Sequence, residues 1–147
     1  MQAPDAAAVA DWRYDPPYDF YDFRKEPEDL VEILAPANWV DYYYSAFDEA
    51  GELAGFFSFK RHPPASIEIG LGLRPALAGK GLGLSFVEAG MDFARRRYSP
   101  AELFLDVATF NDRARKIYEK AGFEAERVWH HETAQGTVEF LRMRRSA

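Results

Sequence analysis

The stretch Ile67-Glu68-Ile69-Gly70-Leu71-Gly72-Leu73-Arg74-Pro75, followed by Ala78-Gly79-Lys80-Gly81-Leu82-Gly83 and then Leu84 to Arg97, decides the fold. Its first part alternates apolar residues at Ile67, Ile69, Leu71 and Leu73, the period of a strand. Its last part carries Leu84, Phe86, Val87, Met91 and Phe93 at helical spacings. The glycines therefore lie on a strand-to-helix turn. The first N–H groups of a helix lack partners within it, and the helix dipole favours an anion there. Glycine removes the side chains that would hold a phosphate away. The turn reads as a phosphate cradle, but it lacks the Lys-Ser/Thr pair of a P-loop, and Leu84 breaks the dinucleotide spacing G-x-G-x-x-G.

Working outward, the 147 residues suit one domain, spanning 1–147. There is no cysteine, so disulfides, thiol nucleophiles and thiolate-held metals are excluded, and the composition fits a cytoplasmic protein. No apolar run is long enough to span a bilayer, and residues 1–11 lack a signal-peptide pattern. The formal charge of −6 argues against a nucleic-acid partner. Residues 1–60 hold 13 acids and 4 bases, net −9, while residues 61–147 hold 11 acids and 14 bases, net +3. The anion-cradle half is the basic half.

In chain order, Pro4 to Trp12 suits a helix, and Glu28 to Leu34 a short second one. Between them Pro16-Pro17 bars a regular helix from a segment, Trp12 to Phe23, in which aromatic residues interleave with aspartates. Val40 to Phe47 and Glu52 to Lys60 read as a hairpin around Asp48-Glu49-Ala50-Gly51. Glu102 to Val107 is a buried-type strand, a helix runs to about Lys120, and 123–132 with 137–144 form a last hairpin. The economical architecture is an α/β chain with a mixed sheet flanked by helices.

The run from Ile67 through Phe123 resembles the GNAT acetyltransferase superfamily. The family turn Q/R-x-x-G-x-G/A appears as Ala78-Gly79-Lys80-Gly81-Leu82-Gly83. Its second block, N-x-x-A-x-x-x-Y-x-x-x-G-F, appears as Asn111-Asp112-Arg113-Ala114-Arg115-Lys116-Ile117-Tyr118-Glu119-Lys120-Ala121-Gly122-Phe123. The resemblance implies an α+β, GNAT-like, mostly antiparallel sheet with a V-shaped splay between its central strands, and an acetyl-CoA-dependent N-acetyltransferase using no metal. Two departures stand out: Ala78 replaces the usual Gln or Arg, and the family's first strand is short or absent.

Carried over residue by residue, the resemblance gives Leu71 and Leu73 to the pantetheine arm, with Gly70 and Gly72 allowing a bulge. Backbone groups of Ala78, Gly79, Lys80, Gly81, Leu82 and Gly83 face the pyrophosphate, Asn111 holds an amide of the arm, and Tyr118 points at the thioester sulfur. A phenol, ordinarily near pKa 10, can return a proton to a departing thiolate, and an ammonium near 10.4 must first lose one to a base. Glu68, at the position used by the histone-acetyltransferase branch, and Asp106, where the ribosomal-protein N-terminal branch carries a glutamate, are both candidates for that base. His62, His130 and His131 show no metal spacing and read as surface or loop residues.

For the acceptor, the rings of Trp12, Tyr14, Tyr18 and Tyr21 among carboxylates suit a cationic primary amine, such as a polyamine, an amino sugar, or a protein N-terminus or lysine. The same rings could instead pack the sheet's open end. A homodimer is compatible with the family. The competing class is a non-catalytic CoA-binding sensor or interaction module on the same fold.

Overall fold

In the computed structural model, which describes all residues 1–147, helix α1 (Ala3–Asp11) leads through 3-10 turns at Tyr18–Tyr21 and Phe23–Lys25 to α2 (Pro27–Leu34). A further 3-10 turn, Pro36–Trp39, precedes strands β1 (Tyr43–Phe47), β2 (Leu53–His62) and β3 (Ser66–Leu73). Then follow α3 (Gly83–Tyr98), β4 (Glu102–Ala108), α4 (Asp112–Lys120), β5 (Glu124–Thr133) and β6 (Gly136–Ser146). The six strands form one sheet in the order β1-β2-β3-β4-β6-β5. Every neighbouring pair is antiparallel except β3 with β4. The mixed, mostly antiparallel sheet expected from the sequence is the one found.

The parallel pair is the exception that matters. β3 keeps register with β2 from Ser66 to Leu73, and β4 keeps register with β6 along its whole length. Yet β3 and β4 face each other only at Ser66↔Glu102, Ile67↔Leu103 and Glu68↔Phe104. Past Glu68 the two half-sheets part, giving the expected splay. It arises without a bulge in β3, contrary to expectation: the β2–β3 register runs unbroken through Gly70 and Gly72. These glycines answer a different demand. A Cβ on Gly70 would strike Ser58 Oγ, and one on Gly72 would lie 2.5 Å from the Phe56 ring.

One sheet face buries Phe57, Phe59, Ile67, Ile69, Leu103, Leu105 and Val107 beneath Val87, Met91 and Ala94 of α3 and beside Phe123. The odd-numbered apolar residues of β3 supply this face, as the strand period requires. On the opposite face a smaller cluster joins Val9 of α1 and Ile33 of α2 to Tyr43 and Phe56. The first hairpin strand begins at Tyr43 rather than Val40, because Pro36 opens a 3-10 turn and the Trp39 indole donates to the Ile33 carbonyl at 2.7 Å.

At the base of the sheet, Asp41 gathers four donors. Tyr44 and Tyr98 hydroxyls donate to it at 2.9 and 3.0 Å, Arg61 at 2.6 Å, and Arg97 lies 3.2 Å away. Burial opposes the charge, but these donors prevail and hold the carboxyl below its ordinary 3.8. A group whose folded value is depressed stabilises the fold above its unfolded value and loses that contribution as pH falls. Asp41→Asn is therefore expected to lower unfolding free energy at pH 7 by about 1–2 kcal/mol. It should also flatten the loss of stability below about pH 4 in denaturant titrations; an unchanged acid limb would contradict the assignment.

Candidate active site

The parting of β3 from β4 leaves backbone groups without strand partners. The Arg74 amide donates to the Ala54 carbonyl at 2.8 Å, so the alternation of an antiparallel ladder gives Gly70 and Gly72 the bonds to β2. Leu71 and Leu73 consequently turn their backbone toward the opening. On the far side, the Thr109 amide donates to the Glu139 carbonyl at 3.0 Å, which by the same alternation aims the backbone of Asp106 and Ala108 into the gap. A cavity of about 1130 Å³ fills this opening.

At one end lies the glycine turn. Gly79 and Gly81 adopt φ of +73° and +78°, a conformation that carries a steric cost for residues with a Cβ. No side chain caps α3, and none of the N–H groups from Gly79 to Ser85 bonds within the chain, the first helical bond being Phe86 to Leu82. Those donors have no internal competitor for an anion. Gly83 lets α4 approach, since a Cβ there would lie 2.5 Å from Ile117 Cδ1. Arg113 stands beside this turn, within 3.0 Å of where a Gly79 Cβ would be, its guanidinium 4.1 Å from the Tyr18 ring centroid. Sequence reasoning missed Arg113, although its place two residues after Asn111 on a strongly amphipathic helix was readable.

The other expected residues fall as follows. Leu71, Leu73, Ala78, Gly79, Gly81, Gly83, Asp106, Asn111 and Tyr118 line the cavity, as do Trp12, Tyr14, Tyr18 and Tyr21; Glu68, Lys80 and Leu82 do not. Asn111 is buried and caps α4, its Oδ1 accepting from the Ala114 amide at 3.1 Å while its Nδ2 donates to the Tyr21 hydroxyl at 3.2 Å. The Tyr118 hydroxyl has no hydrogen-bond partner and is not among the fully enclosed polar atoms, so it opens to the cavity. Burial, reinforced by neighbouring Tyr21, pushes its phenol above the ordinary 10.

The two carboxylates differ. Asp106 receives Nε and a terminal nitrogen of Arg142 at 3.0 and 2.9 Å and the Trp129 indole at 3.1 Å. Glu68 meets His62 Nε2 at 2.8 Å outside the cavity. The His62 ring in turn packs edge-on against Phe104, which the guanidiniums of Arg142 and Arg144 also cover at 4.6 and 4.7 Å.

The segment between α1 and α2 crosses the opening as a strap. The Tyr14 hydroxyl donates to the Leu73 carbonyl at 2.6 Å on one bank, and Tyr21 meets Asn111 on the other. Trp12 also packs 6.4 Å from Phe56, so this ring serves the smaller core as well as the cavity wall. Beyond the strap, Gln135 and the Ala134 amide of the last hairpin bind Glu26. Glu26, Glu28, Asp29 and Glu132 make the cavity's far wall acidic, with exposed His131 among them. The cavity thus has a donor-rich, cationic end and an anionic end.

Residues 1–124 match the family model for the acetyltransferase (GNAT) domain. The chain belongs to this GNAT acetyltransferase family. Among curated relatives, mycothiol acetyltransferase from Salinispora tropica is 36% identical over 92 residues, 58% of this chain and 30% of that protein. The N-alpha-acetyltransferase RimI from Mycobacterium tuberculosis is 31% identical over 97 residues, 63% of this chain and 56% of its own length. The match thus spans less than two thirds of either relative. Among solved structures, a chimera of the Vibrio cholerae spermidine N-acetyltransferase SpeG and hSSAT superposes with a TM-score of 0.78 at 19% identity, covering 99% of this chain and 92% of that one. The Vibrio cholerae enzyme in complex with CoA and spermine gives 0.69 at 22% identity, covering 80% and 74%. These structural likenesses establish the GNAT fold.

Within this GNAT domain the Asp106–Arg142 pair is mostly enclosed, the side chains being 13% and 19% exposed. Removing one member strands a charge, whereas removing both does not. Arg142→Met should lower stability by about 3 kcal/mol, and adding Asp106→Asn should recover part of the loss. A double-mutant cycle in urea measures this, and strict additivity would oppose it.

Proposed function

We propose that this chain is an acetyl-CoA-dependent N-acetyltransferase whose acceptor is a cationic primary amine. One observation carries the reading: an opening between β3 and β4 is bordered by the outward-turned backbone of Leu71, ends at the unpaired N–H groups of Gly79 to Ser85, and contains the unpartnered Tyr118 hydroxyl. The relatives' names, all acetyltransferases, support the acetyl-transfer part of this reading.

Acetyl-CoA would supply a thioester, a carbonyl activated toward an amine. The N–H groups of residues 79–85, with Arg113 beside Gly79, suit its anionic end, and the backbone of Leu71 suits an amide-bearing arm lying as an added strand. The residues present therefore fit the group.

Chemistry then needs three things of the chain. A carboxylate takes the ammonium's proton, directly or through water, so that the nitrogen lone pair can attack. Glu68 and Asp106 remain the two sequence candidates for that base; Asp106 is the one at the cavity, although both its oxygens already accept hydrogen bonds. The mainly apolar walls of the cavity disfavour competing water. As the new C–N bond forms and the C–S bond breaks, the leaving thiolate takes a proton from Tyr118. A phenol raised by burial stays protonated throughout the neutral range, which suits a proton donor.

Thiol release with acetyl-CoA and a panel of amines tests the activity, while calorimetric binding of CoA without turnover on any amine would mark a sensor instead. Tyr118→Phe is expected to lower kcat about 100-fold, with the acetyl-CoA KM within about threefold. A KM effect alone would remove Tyr118 from the acid's role. Gly81→Val forces a Cβ onto φ of +78° and shields the free N–H groups. It should weaken CoA binding at least about tenfold, and unaltered affinity would move the anion site elsewhere.

A further inference from the structure

One cavity-lining carboxylate has no part in the site described so far. Asp22 lies in the strap between its two 3-10 turns and is only 4% exposed. Its Oδ1 accepts the Tyr14 amide at 3.0 Å, and its second oxygen bonds to nothing in the chain. No Arg, Lys or His lies within ion-pair distance, although twelve other such contacts occur across the molecule. That second oxygen is not among the fully enclosed, unpartnered polar atoms, so it opens to the cavity that Asp22 lines.

An isolated carboxylate withdrawn from water is costly unless a charge or donors compensate it. One backbone N–H is weak compensation. None of the cavity's cationic residues pairs with Asp22, while Trp12, Tyr14 and Phe23 line the same cavity and Glu26, Glu28 and Asp29 add further negative charge to its wall. The Asp22 field reaches Tyr14, whose phenol is pushed up by burial first and by this carboxylate second. An aromatic-walled, anionic recess with a free carboxylate oxygen suits an alkylammonium, which brings the missing charge, hydrogen-bond donors and a face for cation–π contact.

We infer that Asp22 is the counter-charge that receives a positively charged nitrogen of the acceptor, making it a specificity-determining residue of the acceptor half of the cavity. This rests on the N-acetyltransferase reading for the word acceptor, but the ammonium site itself is a binding claim. It differs from the role of a base, because the nitrogen it holds stays protonated and no proton is transferred.

Asp22→Asn keeps an oxygen for the Tyr14 amide and removes the charge. The control is Asp15→Asn, an exposed acid of the same strap that does not line this cavity. CoA-saturated protein is titrated calorimetrically with butylamine, spermidine and a short peptide with a free N-terminus. At least one should bind, with Kd about tenfold or more weaker in Asp22→Asn and within about twofold of wild type in Asp15→Asn. Where turnover occurs, the same factor should appear in KM, with kcat and its pH profile little changed. Equal affinity in wild type and Asp22→Asn, equal loss in both variants, binding by none of the three probes, or a loss confined to kcat would each overturn the inference.

A second measurement needs no variant: the Asp22 carboxyl ¹³C resonance of wild-type protein should move on adding the bound amine, and an unmoved signal counts against the site. The two readings separate cleanly. Charge-dependent binding without thiol release would defeat the acetyltransferase and leave Asp22 standing, whereas amine turnover indifferent to Asp22→Asn would do the reverse.

Discussion

Three residue pairs hold the two halves of the sheet together. β3 is bonded to β2 over eight residues and β4 to β6 over seven, but between β3 and β4 the pairing stops at Glu68 and Phe104. Everything the cavity offers follows from that early stop. Backbone groups ordinarily consumed by a neighbouring strand are instead available to a guest, and the odd-numbered apolar residues keep the core dry behind them. Where the strands do meet, Phe104 is covered by two guanidiniums and an imidazole.

The charge asymmetry of the chain has a spatial counterpart. The acidic first sixty residues supply Asp22, Glu26, Glu28 and Asp29 to the cavity wall, while the later half supplies the glycine turn and Arg113 beside it. Opposite ends of one opening therefore favour guests of opposite charge, which helps orient them toward each other before any bond changes.

Periodicity made much of this legible. The strand-turn-helix from Ile67 to Arg97, the helix ending near Lys120 and the final hairpin could be read directly, because each rests on local pattern. Gly70 and Gly72 were misread as bulge residues: their reason lies across the ladder in Ser58 and Phe56, which no local window contains. Asp22 sat in plain view within the aromatic-aspartate segment, yet nothing in the string separates it from exposed Asp15 or from Asp19, which pairs with Lys25. Glu132 reaches the cavity only because the last hairpin folds back to Glu26, and such long-range closure leaves no periodic trace.

The strap gives the opening a width. Tyr14 is fastened to the end of β3 and Tyr21 to the cap of α4, with Asp15, Pro16, Pro17, Tyr18, Asp19 and Phe20 between them. The two arms of the V, so sparingly joined by their own ladder, are thus spanned by a short tie of fixed length containing two prolines, whose φ angles have little freedom. This tie adds two hydrogen bonds across the cleft to the three-pair ladder, so residues that never touch the reacting atoms share in fixing the girth of molecule it admits.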